Sequence, residues 1–339
     1  MDGPRCLTRV VLDVHVLACP DKFKGSASAP EVAAAIDTSV RAAGSSCTVR
    51  PLADGGEGTL DAFGGPNRTT TVTGPLGAPV EARWRLDGDT AVMEAAQACG
   101  LVLAGGAQGN DPLGATTSGV GELLAIAIRS GARSVLVGVG GSATTDGGAG
   151  AVAALRAAGL GLENVRVTVC CDVRTPFTEA AQVFAPQKGA TPEQVRSLSE
   201  RLRSARDLML ETTGIDVDEL AGSGAAGGLA GGLAMLGAQL VPGFDAIADH
   251  VGLDAAIAAV DLVVTGEGRV DTTSLDGKVV GGVVARAGAS GVPVIVVCGT
   301  CTIDLAVPVL DLTGRFGPQR SWGDTARCVT EIVDEWLHR

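Results

Sequence analysis

Apolar runs and glycine-rich loops alternate along this chain, and their order sets the expected fold. Residues 14–18 (VHVLA) form a buried-type strand that ends in PDKFKG. Ser28-Ala-Pro-Glu31 then supplies a capping box with proline in the first turn, and Val32, Ala35, Ile36 and Val40 continue one apolar helix face. A second strand at 47–52 runs into ADGGEG at 53–58 and another helix. From 69 to 98 the runs become short and alternating (TTTVTG, VEARWRL, TAVMEA), broken by Gly-Pro and Asp-Gly, which predicts antiparallel hairpins and a new domain. Segment 111–118 should cap a helix carrying Leu123, Leu124, Ala127 and Ile128, which leads into the strand SVLV at 134–137. Further strands are expected at 165–171, 261–265, 292–297 and 307–312, with helices after Thr191 (Val195, Leu198, Leu202, Ala205, Leu208) and over 324–337. A sheet that begins near the start of the chain and resumes near its end predicts a discontinuous α/β domain, residues 1–67 with 245–339, into which 68–244 is inserted. Residues 1–13 read as an extension without pattern.

The stretch around which the rest is organised is GVGGSATTDGGAG at 138–150, directly after the 134–137 run. A β-branched run ending in glycines is a strand feeding a tight loop, where backbone N–H groups can approach a ligand without a Cβ in the way. Followed by a helix, such a loop is an anion site, because its amides and the positive end of the helix dipole both favour phosphate. Gly140, Gly141, Ser142, Thr144, Thr145, Asp146, Gly147 and Gly148 are the candidate nucleotide-binding residues. No G-x-x-x-x-G-K-[ST] motif occurs in the chain. The stretch 138–143 also satisfies G-x-G-x-x-[GA], with Glu163 about the expected distance on, so a nicotinamide-dependent dehydrogenase is the rival enzyme class.

Composition narrows the partners. A net charge of −12 argues against nucleic acid or an anionic membrane as partner, and the absence of tyrosine argues against a base-stacking platform. An anionic ligand therefore needs a locally basic site. Only four of the 26 basic residues are lysines, and Lys22, Lys24, Lys188 and Lys278 each lie in or beside a glycine-containing loop (DKFKG, PQKG, LDGK), as though a compact ammonium were required there. Nine cysteines, an odd number in a chain with no signal-peptide pattern, read as reduced core residues of a cytoplasmic protein. Cys298-Gly-Thr-Cys301 has redox or metal spacing but no second pair to complete it, and His15, alternating within its strand, reads as structural. The uncharged stretch 220–242 is mostly glycine and alanine and is not expected to span a membrane.

Carboxylates sit where open α/β sheets bind ligands. Asp54 and Glu57 occupy the 53–58 loop at a strand's C-terminal end, and their hard oxygens suit Mg²⁺. Asp172 closes the apolar run 165–171 and is the candidate general base, on the expectation that partial burial raises its pKa. The glycine-rich segment 222–232 follows no strand, and reads as close helix packing or as ligand approach.

With these residues laid out, the chain resembles the type I glycerate kinases, which phosphorylate D-glycerate with ATP and Mg²⁺. Nine motifs occur in the family's order: PDKFKGS (20–26), ADGGEGT (53–59), TGPLG (73–77), DPLGATTSG (111–119), GGSATTDGGAG (140–150), CDVRTPF (171–177), FAPQKGA (184–190), GAAGG (224–228) and TGEGRVD (265–271). The resemblance implies two α/β domains, a discontinuous Rossmann-like parallel-sheet domain and an inserted mixed-sheet domain, with the active site in the cleft between them. The phosphotransferase chemistry it implies assigns Asp172 as base, with Lys24 and Lys188 neutralising developing charge. Asp21, Lys22, Asp54, Arg269 and Asp271 become candidates for holding the substrate, Arg269 as a carboxylate clamp. Asp54, Glu57 and Glu267 are the metal candidates, with Asp271 beside them. The chain is shorter than the usual member between 150 and 171, a small loop after CDVRTPF is reduced, and Thr175 stands where asparagine is usual. This leaves open a related small hydroxy acid as substrate, 3-phosphoglycerate as product, or a non-catalytic ligand-binding relative. A monomer or homodimer acting on small molecules is expected.

Overall fold

The computed structural model describes residues 14–275 and 277–338, so the extension at 1–13 lies outside the described residues. Eleven strands run, in chain order, β1 His15–Ala18, β2 Ser46–Val49, β3 Arg68–Thr73, β4 Pro79–Asp87, β5 Thr90–Glu94, β6 Ser134–Gly138, β7 Arg166–Cys171, β8 Gln239–Pro242, β9 Leu262–Val270, β10 Val294–Cys301 and β11 Val309–Asp311. They form two sheets, and the chain divides into two units: Met1–Pro51 with Gly252–Arg339, and the continuous Leu52–Val251.

In the discontinuous unit the strand order is β11-β10-β9-β1-β2, all parallel. Strands buried on both faces read as unbroken apolar runs, and β10 shows why. Ile295 and Val297 point into a core with helices Ala29–Ala42 and Thr325–Leu337, whereas Val296 and Cys298 join Val280 on the opposite face. The capping box at Ser28 is present, with the Ser28 side chain on the Glu31 N–H and the Glu31 carboxylate on the Ser28 N–H at 2.8 Å.

The inserted unit is a mixed sheet in the order β3-β4-β5-β6-β7-β8. β3, β4 and β5 are antiparallel, as the alternating pattern predicts, and β5 through β8 are parallel. Alternation again splits the strands between two faces. Val135 and Val137 of β6 pack with Trp84, Leu124 and Leu155 under helices Ser118–Arg129 and Ala149–Ala157, while Leu136 packs with Leu60, Val92 and Cys170 on the other face. The units divide at 51/52 and 251/252, where the sequence pattern suggested 67/68 and 244/245. Leu60 of helix Thr59–Ala62 and Ala246 of helix Gly243–His250 both belong to the inserted unit's core.

Helix Pro192–Thr213 carries the expected Thr191 capping box and buries Leu198 and Leu202, but its apolar face stops at Ala205 and Met209. Leu208, expected on that face, is 61% exposed. The described cysteines are free. Among the described residues no helix is long and apolar enough to cross a membrane.

Candidate active site

Several chain segments meet at the C-terminal ends of β5, β6 and β7. The glycine-rich loop leaves β6 at Gly138, whose register partner on β5 is Glu94 and on β7 is Cys170. On the β5 side Gly100 and Ser142 form an isolated antiparallel bridge, in which Leu101 N–H donates to Gly141 O at 2.9 Å and Ala143 N–H to Cys99 O at 2.8 Å. On the other side Gly147 N–H donates to Gly227 O at 3.0 Å. The loop is therefore pinned along its length.

The glycines divide by role. A Cβ on Gly140 would come within 2.6 Å of Gly56 Cα, so the 53–58 loop and the glycine-rich loop touch backbone to backbone. That contact brings Asp54 and Glu57 to the glycine-rich loop: Asp54 is buried and accepts from Gly56 N–H at 3.2 Å, and Glu57 is exposed. Gly147 and Gly148 instead serve packing, against Phe177 and Gly232. Gly141 is exposed; Ser142, Thr144 and Thr145 are buried.

Asp146 is bound into the loop. Its carboxylate accepts from Thr117 N–H (2.9 Å) and Oγ (2.8 Å), Gly148 N–H (3.1 Å) and Gly150 N–H (3.2 Å), and Thr117 Oγ in turn accepts from Ala151 N–H at 3.0 Å. The first amides of helix Ala149–Ala157 thus already hold an anion of the protein's own, which corrects the expectation that this helix end offers itself to a phosphate. Segment 111–118 is corrected too: Thr117 makes no side-chain cap on helix Ser118–Arg129, and its hydroxyl serves helix Ala149–Ala157.

Lys188 lies beneath the loop, 3% exposed. Its ammonium donates to Ser142 Oγ at 3.1 Å and to Thr144 O at 2.6 Å. Burial pulls its pKa down to about 8, while Cys99 and Asp146 pull the other way. Asn110 ties the assembly together through Nδ2, which donates to Ala143 O (3.0 Å) and Lys188 O (2.9 Å). Asp172 leaves β7 two residues past the register partner of Gly138. It is exposed, so the partial burial expected of a general base is not found. A short segment holds the loops on either side: Gly224 N–H donates to Thr175 O at 2.9 Å, and Gly227 fits where a Cβ would meet Thr144 O at 2.1 Å. Its Ala226 has φ +54°, and no other non-glycine residue described has a positive φ. Both the packing and the ligand-approach readings of 222–232 rested on its glycines; the contacts found are packing contacts.

Glu163 lies before β7, at the opposite end of the parallel strands from Gly138. A dinucleotide ribose is met at the C-terminal end of the second strand, so the dehydrogenase reading fails on geometry. Glu94 escaped the sequence reading, although it closes the apolar run TAVME just as Asp172 closes its own. Asn110 and Thr117 gave no such signal.

In the discontinuous unit, the loop after β1 lies against the end of β9. Asp21 N–H donates to Gly266 O at 2.8 Å, and Gly268 packs on the Phe23–Lys24 backbone. Asp21 is buried beside Lys22 at 3.5 Å, and Lys24 is exposed. Arg269, exposed, lies 3.4 Å from Asp271, whose pKa is lowered by the Thr273 hydroxyl and N–H it accepts from and by Arg269. Glu267 is half-buried on β9. Among the described residues no three His, Cys, Asp or Glu side chains cluster as a metal site. Mg²⁺ needs no full protein cage, since it takes one or two carboxylates and fills its other positions with phosphates and water, and Asp54 and Glu57 on one loop fit that requirement.

A glycine-rich loop at parallel strand ends, laid over a buried ammonium and flanked by carboxylates, is the equipment of a phosphotransferase. The glycerate kinase family model matches residues 16–161 and 156–314, and the chain belongs to that family; it is a kinase. It is 38% identical over 333 residues to glycerate 2-kinase of Escherichia coli K12, covering 87% of each chain. It is also 38% identical over 330 residues to glycerate kinase of Bacillus subtilis 168, covering 86% of each. A crystal structure from Salmonella typhimurium LT2 ascribed to a glycerate kinase 2 superposes with a TM-score of 0.80 at 34% identity, over 96% of this chain and 98% of the other.

Proposed function

We propose that the chain transfers the γ-phosphoryl group of ATP to D-glycerate, giving 2-phosphoglycerate and ADP. The observation that carries this is Lys188, an ammonium buried under the glycine-rich loop and held by Ser142 Oγ and Thr144 O. Burying an unpaired cation is costly, and an anion on the loop above it would offset that cost. The product follows the name of the Escherichia coli relative, glycerate 2-kinase.

In this reading Gly140, Gly141, Ser142, Thr144 and Thr145 cradle the phosphates, Gly147 and Gly148 shape the loop, and Asp146 fixes it. Lys188 acts from beneath, and Lys24 adds charge. Asp172 takes the proton of the acceptor hydroxyl as its oxygen bonds to phosphorus and the bond to ADP breaks. An exposed carboxylate is suited to this because it can pass the proton on to water. Arg269 clamps the substrate carboxylate, with Asp21, Lys22, Asp54 and Asp271 as further substrate contacts. Mg²⁺ supplies charge neutralisation on the phosphates when bound, and Asp54 and Glu57 of the 53–58 loop are the carboxylates that would hold it.

The test is coupled ADP release. It should appear with D-glycerate, vanish with EDTA, and yield a product that enolase converts without added mutase. Asp172→Asn should lower kcat on the order of 10²–10⁴-fold while leaving ATP binding nearly intact. No ADP release across a panel of small hydroxy acids would overturn the proposal, and a strict mutase requirement would move the phosphate to the 3-position.

A further inference from the structure

Glu94 is spent on backbone. It is 6% exposed at the end of β5, and one carboxylate oxygen accepts from Gly58 N–H at 3.0 Å and Leu60 N–H at 2.9 Å. Gln97 also bonds the carboxylate, and Asp61 is the charged group facing it. Burial raises its pKa from the ordinary glutamate value, and the hydrogen bonds from Leu60, Gly58 and Gln97 pull the other way. Gly58, ahead of the four-residue helix Thr59–Ala62, has φ +94°, a conformation that favours glycine, so no side chain at that position serves these amides and they are met from β5 instead.

What Glu94 fixes is the exit of the 53–58 loop. The middle of that loop lies on the glycine-rich loop: Gly56 Cα is 2.6 Å from where a Cβ on Gly140 would fall, and Gly55 O is 2.8 Å from where one on Gly138 would fall. Thr59 Oγ closes the turn by donating to Gly56 O at 2.7 Å. Glu94 and Gly138 are themselves register partners. One strand thus anchors the 53–58 loop while its neighbour supplies the surface that the loop rests on.

We propose that Glu94 is a positioning residue for phosphoryl transfer: its buried carboxylate holds the 53–58 loop, and with it Asp54 and Glu57, in place against the glycine-rich loop. This rests on the function proposed above. A loop released from Glu94 still folds but presents its carboxylates out of place, and small displacements are costly for a reaction that depends on alignment.

The test compares Glu94→Gln and Glu94→Ala with the unaltered chain by steady-state kinetics, thermal unfolding and amide hydrogen exchange. Glu94→Ala should lower kcat roughly 10- to 100-fold, more than it raises KM for D-glycerate, and Glu94→Gln, which keeps an acceptor oxygen, should recover most of that loss. Amides at 55–60 and at 138–141 should both exchange at least about tenfold faster in Glu94→Ala. A lowered Tm with kcat within about twofold would make Glu94 a cap only and overturn the proposal. If the unaltered chain turns over no D-glycerate, the function proposed above fails, and exchange alone decides whether Glu94 holds the loop. Faster exchange in both segments then supports the positioning role, and faster exchange at 58 and 60 only overturns it.

Discussion

Lys188 carries opposite pH signs for activity and for stability. Its pKa falls from 10.5 to about 8 on burial, so below pH 8 the folded protein bears the whole desolvation penalty, about 3 kcal/mol for a shift of that size. Between pH 8 and 10.5 the folded chain loses this proton before the unfolded chain does, so the penalty is relieved and this group's contribution to stability rises. In the proposed function activity runs the other way, because the ammonium is the form that would face phosphate. We expect kcat/KM to decline above about pH 8, and kcat to decline at higher pH because bound phosphate stabilises the ammonium. Lys188→Met should be slow and lack this alkaline limb. An unaltered chain whose kcat/KM holds to about pH 10 would refute the role. Lys188 was legible in the sequence through the rarity of lysine. That it lies under the loop was not, because Ser142, Thr144 and Asn110, which hold it there, come from two other segments. Asp172 misled in the other direction: an apolar run continues to the edge of a sheet, and the residue that follows is where the chain meets water.

At the scale of elements, short-range physics read well. Both capping boxes form, because serine or threonine with glutamate or glutamine three residues on satisfies two amides locally. The segment 111–118 failed because Asp146, distant in sequence, competes for Thr117 and offers a charged acceptor. Loops that touch backbone to backbone are also invisible to periodicity, and Gly140 tests that contact. Its alanine variant would place Cβ 2.6 Å from Gly56 Cα, where only backbone can move, so we expect a loss of about 1–3 kcal/mol in stability and a raised KM for ATP. Gly288, in helix Val279–Ala289 with nothing within 4 Å of an added Cβ, is the control. Gly288→Ala should be neutral or stabilising by up to about 1 kcal/mol. Equal effects at the two positions, read from urea midpoints, would mean that the two loops do not bear on each other.

For the whole molecule, the two sheets and the insertion were legible because each unit writes its own pattern: unbroken apolar runs for β1, β9 and β10, and alternation for β3, β4 and β5. The boundaries were less so, since helices Thr59–Ala62 and Gly243–His250 cover the inserted sheet from outside the strands that define it. A continuous segment with a core on each face of a six-stranded sheet should fold by itself, and Leu52–Val251 is such a segment. It contains one of the chain's three tryptophans, Trp84, which is 1% exposed and donates from Nε1 to Thr70 Oγ at 3.0 Å. Residues 52–251 expressed alone should therefore show the blue-shifted emission of a buried indole and lose it in one cooperative urea transition. A buried Trp84 in the segment alone would show that the inserted core needs nothing from the segments on either side. Emission already at the position of an exposed indole without denaturant would show instead that this core depends on them.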